Sequence, residues 1–392
     1  MPARLLKVCI DVRSLPPGSV NGTGVYAMEL LRRLPAEASV FVSGPDQRAA
    51  FTALGIRTIG RLDELSECDV FHRPSQIYDS ASLDLFLKSP ALPVITCLDL
   101  ISYRTPALFG TFEAYRLHRG LMFAALSAAQ AVVAISEHGR REILDEFRLP
   151  PERVHCTHLG VDASLFGTRD AAKNRDVLLK HGIAAPYFFC SGTDFPHKNL
   201  SLLLRGYAWL RSQWRRPEAA PELVLIGHRS GAPGGLFGLG AAPAQGVHYL
   251  GAVHRDDVPP LYQEALALVY PSSYEGFGLP VLEGMAAGIP VLCSRLTSVP
   301  EVAGDAAMYL EELSMDEIAD RMLALATDQD LRARLIDAGR IRAQAFRWEE
   351  TARKTADIYA AVAEQPAPDA ILHRRMLTEL AATDWGTRST SR

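Results

Sequence analysis

Between Tyr274 and Glu283 the chain reads YEGFGLPVLE, with Glu275 and Glu283 separated by seven residues and two glycines and a proline between them. The apolar run LALVYPSS precedes this segment and VLEGMAAG follows it, so it spans a strand, a loop and the start of a helix. Pro280 suits the first turn of a helix, where the backbone N–H it lacks has no partner to lose. Gly276 and Gly278 let the backbone approach a ligand closely, and the amides from Gly276 to Leu279, with Phe277 between the glycines, lead into a helix start whose free N–H groups favour an anion. Phosphate is the natural occupant of such donors, while Glu275 on the loop and Glu283 in the first turn can each accept hydrogen bonds from hydroxyl groups. Each feature has a plainer explanation: a tight turn for the glycines, and dipole compensation at a helix start for Glu283. It is their combination that points to a ligand. Lys198, in PHKN, is read as opening another helix, where a lysine opposes the dipole but can neutralise charge developing on a diphosphate leaving group.

The elements needed to position these groups can be read from the hydrophobic pattern. Short β-branched runs at Val8–Val12, Val40–Ser43, Val70–His72, Val94–Leu98 and Val132–Ile135 alternate with helical stretches such as Val25–Leu34 and Glu113–Ala129. A second series has strands at Tyr187–Ser191, Leu223–Gly227, Val247–Leu250, Ala267–Tyr270 and Val291–Ser294. Its helices are Leu200–Trp214, Pro259–Ala265 and Leu279–Ala287. Strands that are apolar on both faces and alternate with helices imply parallel sheets covered on both sides. Two such series predict an α/β chain of two doubly wound, Rossmann-like domains. The polar interval from Asp162 to Pro186 places the boundary, giving domains at 1–175 and 176–346. A helix at 347–364 and a weakly ordered tail at 365–392 follow.

At 392 residues the chain exceeds one ordinary core. Its 48% hydrophobic and 22% charged residues fit a soluble globular protein. A formal net charge of −4 gives no reason to expect nucleic acid. The six cysteines are scattered, without a CxxC pair, and sit in apolar runs such as VCI and FFC, which argues against a disulfide framework or zinc site and for a reducing, cytoplasmic setting. MPARLLKVCIDV runs straight into a strand pattern without a signal-peptide core. The apolar stretch Gly120–Ile135 is too short to span a bilayer. Peripheral attachment at the inner face of a membrane stays open, as does the oligomeric state.

The segment YEGFGLPVLEGMAAGIPVLCS resembles the E-x7-E signature of the family-4 retaining glycosyltransferases. GTGVYAMELL, AISEHGRREI, SGTDFPHKNL, LVLIGH, HYLGAV and SVPEVAGDAA extend the resemblance along most of the chain. It implies a GT-B fold, two Rossmann-like domains facing a central cleft, and transfer of a hexosyl group with retention. The donor would be a nucleotide sugar of the GDP-mannose or UDP-hexose type, and the acceptor a saccharide or lipid-linked sugar, as in bacterial polysaccharide synthesis. By the same resemblance Glu275 meets the donor sugar hydroxyls, Glu283 the ribose, the amides of Gly276–Leu279 the diphosphate, and Lys198 the leaving group. No metal or other cofactor is implied, and no DxD-like pair stands ready for one. Trp348 and the helix after it would pack back on the first domain.

Two positions depart from the family pattern. Thr193 stands where many relatives carry a phosphate-binding arginine, with Arg229 as a substitute, and Leu98 stands where they often carry a histidine beside the sugar. Asp99 either orients an acceptor hydroxyl or caps a turn. Gly22 and Gly24, in the loop after the first strand, would meet the diphosphate, and Arg13 and Tyr26 are further candidates. His72 and His158 read as buried, hydrogen-bonded histidines before they read as ligands, and Ser136 as a helix N-cap. The competing readings are another GT-B reaction, such as an epimerase or a phosphorylase, and a catalytically silent nucleotide-sugar-binding subunit.

Overall fold

The computed structural model describes residues 5–15, 22–184, 186–227 and 245–364. Arg229 and the tail at 365–392 lie outside them. The chain divides into two compact units. One is the stretch up to His158 together with the segment from Trp348 onward, and the other is Leu159–Arg347.

The first unit contains β1 (Lys7–Asp11), α1 (Gly22–Arg33), β2 (Glu37–Phe41), α2 (Pro45–Ala53), β3 (Arg57–Ile59), β4 (Val70–Arg73) and α3 (Ser80–Lys88). There follow β5 (Leu92–Cys97), α4 (Ile101–Arg104), α5 (Phe112–Ala128), β6 (Ala131–Ala134), α6 (Glu137–Phe147) and β7 (Val154–Cys156). The strands form one parallel sheet in the order β3-β2-β1-β4-β5-β6-β7. Val8, Cys9, Ile10 and Val132–Ala134 are fully buried, as strands covered on both faces require.

The second unit opens with α7 (Ala163–Gly167) and α8 (Ala171–Lys180). It continues with β8 (Tyr187–Ser191), α9 (Leu200–Gln213), β9 (Glu222–Ile226), β10 (Val247–Gly251), α10 (Val258–Gln263), β11 (Ala267–Tyr270) and α11 (Leu279–Ala287). It closes with β12 (Val291–Ser294), α12 (Val299–Ala303), β13 (Met308–Leu310), α13 (Met315–Thr327) and α14 (Gln329–Ala343). Its parallel sheet runs β10-β9-β8-β11-β12-β13. Both sheets are doubly wound: the strand order reverses between β1 and β4 in one and between β8 and β11 in the other.

The expected division at 175/176 falls inside α8. That helix belongs to the second unit, where it packs on α10 and Asn174 Nδ2 donates to Gln263 Oε1 at 3.0 Å. Helices α13 and α14 are separated at Asp328, whose carboxylate caps α14 by accepting from the Leu331 amide at 2.8 Å. The last helix, α15 (Trp348–Glu364), packs on α1 of the first unit. There Tyr359 hydroxyl lies 2.6 Å from His72 Nδ1, and His72 Nε2 lies 2.8 Å from Thr96 Oγ1. His72 is fully buried, and burial lowers its pKa to about 3, so it is a neutral, hydrogen-bonded core histidine. Among the described residues no helix is long and apolar enough to cross a membrane.

Candidate functional site

The second sheet changes direction between β8 and β11, which pair in parallel through Ala267↔Phe188 and Leu268↔Phe189. The loops leaving their carboxyl ends therefore open a crevice, the usual ligand position in an open α/β sheet. Lys198 lies on the loop after β8 and Glu275 on the loop after β11, and their side chains meet: Lys198 Nζ donates to Glu275 Oε1 at 2.5 Å and to Tyr270 hydroxyl at 2.6 Å.

Lys198 does not open a helix. It ends a 3-10 turn, Pro196–Lys198, and α9 starts two residues later after Asn199 in the left-handed region. Asparagine tolerates that conformation, and its Nδ2 donates to Pro271 O at 2.9 Å. The Ser273 amide adds a bond to His197 O at 2.7 Å. These bonds fasten the lysine's turn to the loop that carries Glu275.

The Lys198 and Glu275 side chains are only 15% and 11% exposed. Burial alone would raise the Glu275 pKa, but the Lys198 charge and hydrogen bonds from Lys198, Ser272 and Tyr270 outweigh it and lower the pKa. Burial pushes the Tyr270 phenol far up, with the Glu275 charge adding to the effect. The lowered Glu275 value holds it as a carboxylate and the raised Tyr270 value keeps its phenol neutral, with Lys198 Nζ donating to both. Two of the three ammonium N–H groups are spent on Tyr270 and Glu275, which leaves one for an incoming anion.

Glu283 lies beyond the first turn of α11, so dipole compensation does not account for it. It accepts a hydrogen bond from Tyr262 hydroxyl at 2.8 Å. Burial raises its pKa to about 7, against the Tyr262 hydrogen bond and the Arg255 charge. Its carboxyl group therefore changes charge near neutrality.

Gly278 caps the start of α11 at φ 108, a conformation that demands glycine. Pro280 has no N–H, and the Val281 and Leu282 amides donate to Gly278 O at 3.0 and 3.3 Å, so of the first-turn donors expected to meet an anion only the Leu279 amide is left. The Phe277 side chain is 3% exposed and meets the Phe346 ring edge-on at 5.9 Å. It is a core residue, and its carbonyl accepts from Ser298 Oγ at 2.9 Å. Thr193 is half-buried on the loop after β8, and its carbonyl accepts from the Phe195 amide at 2.8 Å. A second close approach sits nearby: a Cβ on Gly227, at φ 140, would stand 2.0 Å from Gly192 O.

The remaining candidates belong to the first unit. Gly22 and Gly24 do not lie in a loop but occupy the first turn of α1. Asp99 Oδ1 accepts from the Ile101 amide at 2.9 Å, the turn-capping alternative. Arg13 binds Asp11 through Nε and Nη2, both at 2.9 Å. Tyr26 is buried with its hydroxyl 3.0 Å from Thr96 Oγ1, and Ser136 caps α6 through the Gly139 amide at 2.9 Å.

Sequence reasoning missed Tyr270 and Tyr262, which read as core aromatics, and the pair Thr297–Ser298. The Glu275 amide donates to Thr297 Oγ1 at 3.0 Å, while Ser298 Oγ donates to Glu275 O at 2.8 Å and Phe277 O at 2.9 Å. The only sequence signal was their place in SVPEVAGDAA and the residues just before it.

Comparison with known proteins places the fold and this segment. The chain superposes on a Rickettsia africae glycosyltransferase with a TM-score of 0.69, at 15% identity, over 93% of this chain and 100% of that one. It superposes on Anabaena Alr3699/HepE, solved with UDP and glucose, with a TM-score of 0.68 at 18% identity, over 91% and 99% of the two chains. The fold is that of GT-B glycosyltransferases, with two Rossmann-like domains. In sequence the chain is 35% identical over 238 residues to O-antigen chain mannosyltransferase B of Escherichia coli, covering 60% of this chain and 61% of that protein. It is 30% identical over 234 residues to the MMP alpha-(1->4)-mannosyltransferase of Mycolicibacterium hassiacum, covering 58% and 53%. The chain thus spans 61% and 53% of the lengths of these two relatives. Residues 180–342, which hold Lys198, Glu275 and Glu283, match the family described as Glycosyl transferases group 1.

Proposed function

We propose that this chain is a retaining hexosyltransferase that moves a hexosyl group from a nucleotide sugar to a hydroxyl of a saccharide or lipid-linked acceptor. The observation that carries this reading is the Lys198–Glu275–Tyr270 group at the sheet's reversal point, beside the start of α11. A diphosphate fits the Leu279 amide at the start of α11 and the remaining ammonium proton. The Glu275 carboxylate, held by Lys198, accepts hydrogen bonds from sugar hydroxyls, and Glu283 accepts those of the ribose. No protein nucleophile is needed. The acceptor hydroxyl attacks the anomeric carbon on the face the diphosphate leaves, and the departing phosphate oxygen takes its proton. Lys198 stabilises the charge that develops on that oxygen. Two relatives named as mannosyltransferases favour mannose as the sugar, with GDP-mannose the donor to try first. The O-antigen named for one of them favours an acceptor in polysaccharide synthesis, worked on in the cytoplasm or at the inner face of a membrane.

The test is turnover of GDP-mannose and of UDP-glucose, followed as nucleoside diphosphate released with and without saccharide acceptors. Lys198→Ala and Glu275→Gln should each lower turnover by about 100-fold or more, with the fold retained. Wild-type turnover in both variants refutes the assignment. Donor binding without transfer to any acceptor would identify a silent binding subunit instead.

A further inference from the structure

Thr297 adopts φ 53, and the other non-glycine residues with positive φ among the described residues are Arg148 and Asn199. Neither of those is β-branched, whereas a branched side chain in this region is strained and marks a constraint imposed by its surroundings. The constraint is visible: Thr297 Oγ1 accepts from the Glu275 amide at 3.0 Å. The next residue, Ser298, is fully buried and stands at the N-cap of α12, yet its hydroxyl makes no capping bond there. It donates instead to the carbonyls of Glu275 and Phe277, at 2.8 and 2.9 Å. A serine in the preferred capping position has its hydroxyl turned away from its own helix and spent on the loop before α11. Two adjacent side chains thus fix three backbone groups of Glu275–Phe277, the segment between the Lys198 ion pair and the left-handed Gly278.

We propose that Thr297 and Ser298 are positioning residues for the transfer reaction, holding the Glu275–Phe277 backbone so that the Glu275 carboxylate stays on Lys198 and the loop into Gly278 keeps its place beside the diphosphate. The inference rests on the donor-site reading above. It assigns the strained Thr297 backbone a purpose, since relieving the strain would release the loop. A residue kept only for folding would behave in the opposite way, because relieving its strain would stabilise the protein without altering the site.

The experiment compares Thr297→Gly, Thr297→Ser and Ser298→Ala in the full chain by melting temperature, amide hydrogen exchange across residues 274–279, and steady-state turnover of GDP-mannose or UDP-glucose. Thr297→Gly should melt no lower than wild type while the loop amides exchange about tenfold faster or more. Its kcat should fall by about tenfold or more, with KM changed by less than about threefold. Thr297→Ser keeps the hydroxyl and should restore both readouts to within about threefold of wild type. Ser298→Ala should act in the same direction as Thr297→Gly. Thr297→Gly with wild-type loop exchange and wild-type kcat overturns the proposal. Faster loop exchange in a chain that, even as wild type, binds neither GDP nor UDP would overturn the donor reading and the catalytic purpose with it, while establishing the clamp as a local structural fact.

Discussion

Replacing Lys198 with Met keeps the length of the side chain and removes its charge, leaving the Glu275 carboxylate buried without its partner. The ion pair is 2.5 Å long, and neither side chain is more than 15% exposed, so it belongs with buried pairs rather than surface ones. Breaking a buried pair costs about 3–5 kcal/mol, because the orphaned charge keeps its desolvation penalty. Tyr270 still donates to Glu275 and the site retains some solvent contact, so the expected loss for Lys198→Met is about 2–4 kcal/mol at pH 7.5. The pH dependence gives the sign. In the wild type the folded-state pKa of Glu275 is lowered, so its contribution is present above the unfolded carboxyl value and is lost as pH falls through the folded one. Without Lys198, burial raises that pKa instead, and the variant's carboxyl group takes up a proton as the pH falls. The stability gap between wild type and variant should therefore narrow from pH 7.5 to pH 5. Urea denaturation of wild type, Lys198→Met, Glu275→Gln and the double variant measures this. Hydrogen exchange in β8 and β11 assigns the change to the second unit. The double-variant cycle should show a coupling above about 1 kcal/mol. A loss below about 0.5 kcal/mol, the range of an exposed pair, or a gap that does not change with pH, refutes the reasoning.

Glu283 behaves in the opposite sense. Its folded pKa is raised to about 7, so the stability it contributes is full below the unfolded carboxyl value and is lost as pH rises toward 7 and above. Glu283→Gln should match wild type near pH 5 and exceed it by about 1–2 kcal/mol at pH 8, as read by denaturant midpoints. Equal midpoints at pH 8 would show that the carboxyl group is not desolvated as its surroundings require. In the first unit, Tyr359→Phe removes the hydroxyl that meets His72 Nδ1 at 2.6 Å and leaves a buried ring nitrogen unsatisfied. It should cost about 1–3 kcal/mol in urea denaturation and loosen α15 in hydrogen exchange. A neutral substitution would show that α15 is held by apolar packing alone.

The parts of this molecule that were legible in the sequence are those whose cause is local. YEGFGLPVLE is a continuous strand–loop–helix segment, so its glycines, proline and helix start could be read together, and α11 begins and ends where the pattern places it. β8, β11 and β12 were legible because they are buried on both faces and carry uninterrupted apolar runs. β3, β7 and β13 were not, because each has three residues at a sheet edge, too short and too mixed, as in Arg57–Ile59, for a periodic signal. Helix α8 looked like a linker because only Asn174 and Val177 on it are buried, and an exposed helix has the composition of a connection. Thr297–Ser298 was invisible for a different reason. Its partner is a backbone reached only through the return of the chain along β12, and nothing in a threonine–serine pair announces which carbonyls it will meet. Tyr270 and Tyr262 likewise have the composition of core residues, and only the placement of their hydroxyls gives them a polar role.

The two units show what the common topology supplies and what the residues add. In each, the strand order reverses once, and at each reversal the chain places opposite charges at the carboxyl ends of the adjacent strands. In the first unit these are Asp11 at the end of β1 and Arg73 at the end of β4, joined at 2.8 Å with side chains 2% and 3% exposed. In the second they are Glu275 and Lys198, each a few residues beyond its strand and 11% and 15% exposed. The topology brings both pairs together, since adjacent parallel strands end side by side. The difference lies in the reach of the loops. A charge pair seated on the strands themselves is closed off and acts as a lock on the sheet, at the desolvation cost of a buried pair. A pair carried outward on loops keeps part of its surface and a spare ammonium proton, and the loop that bears its carboxylate leads into the start of α11. That added reach, set by the turn Pro196–Asn199 and the clamped backbone of Glu275–Phe277, makes the second reversal point chemically available.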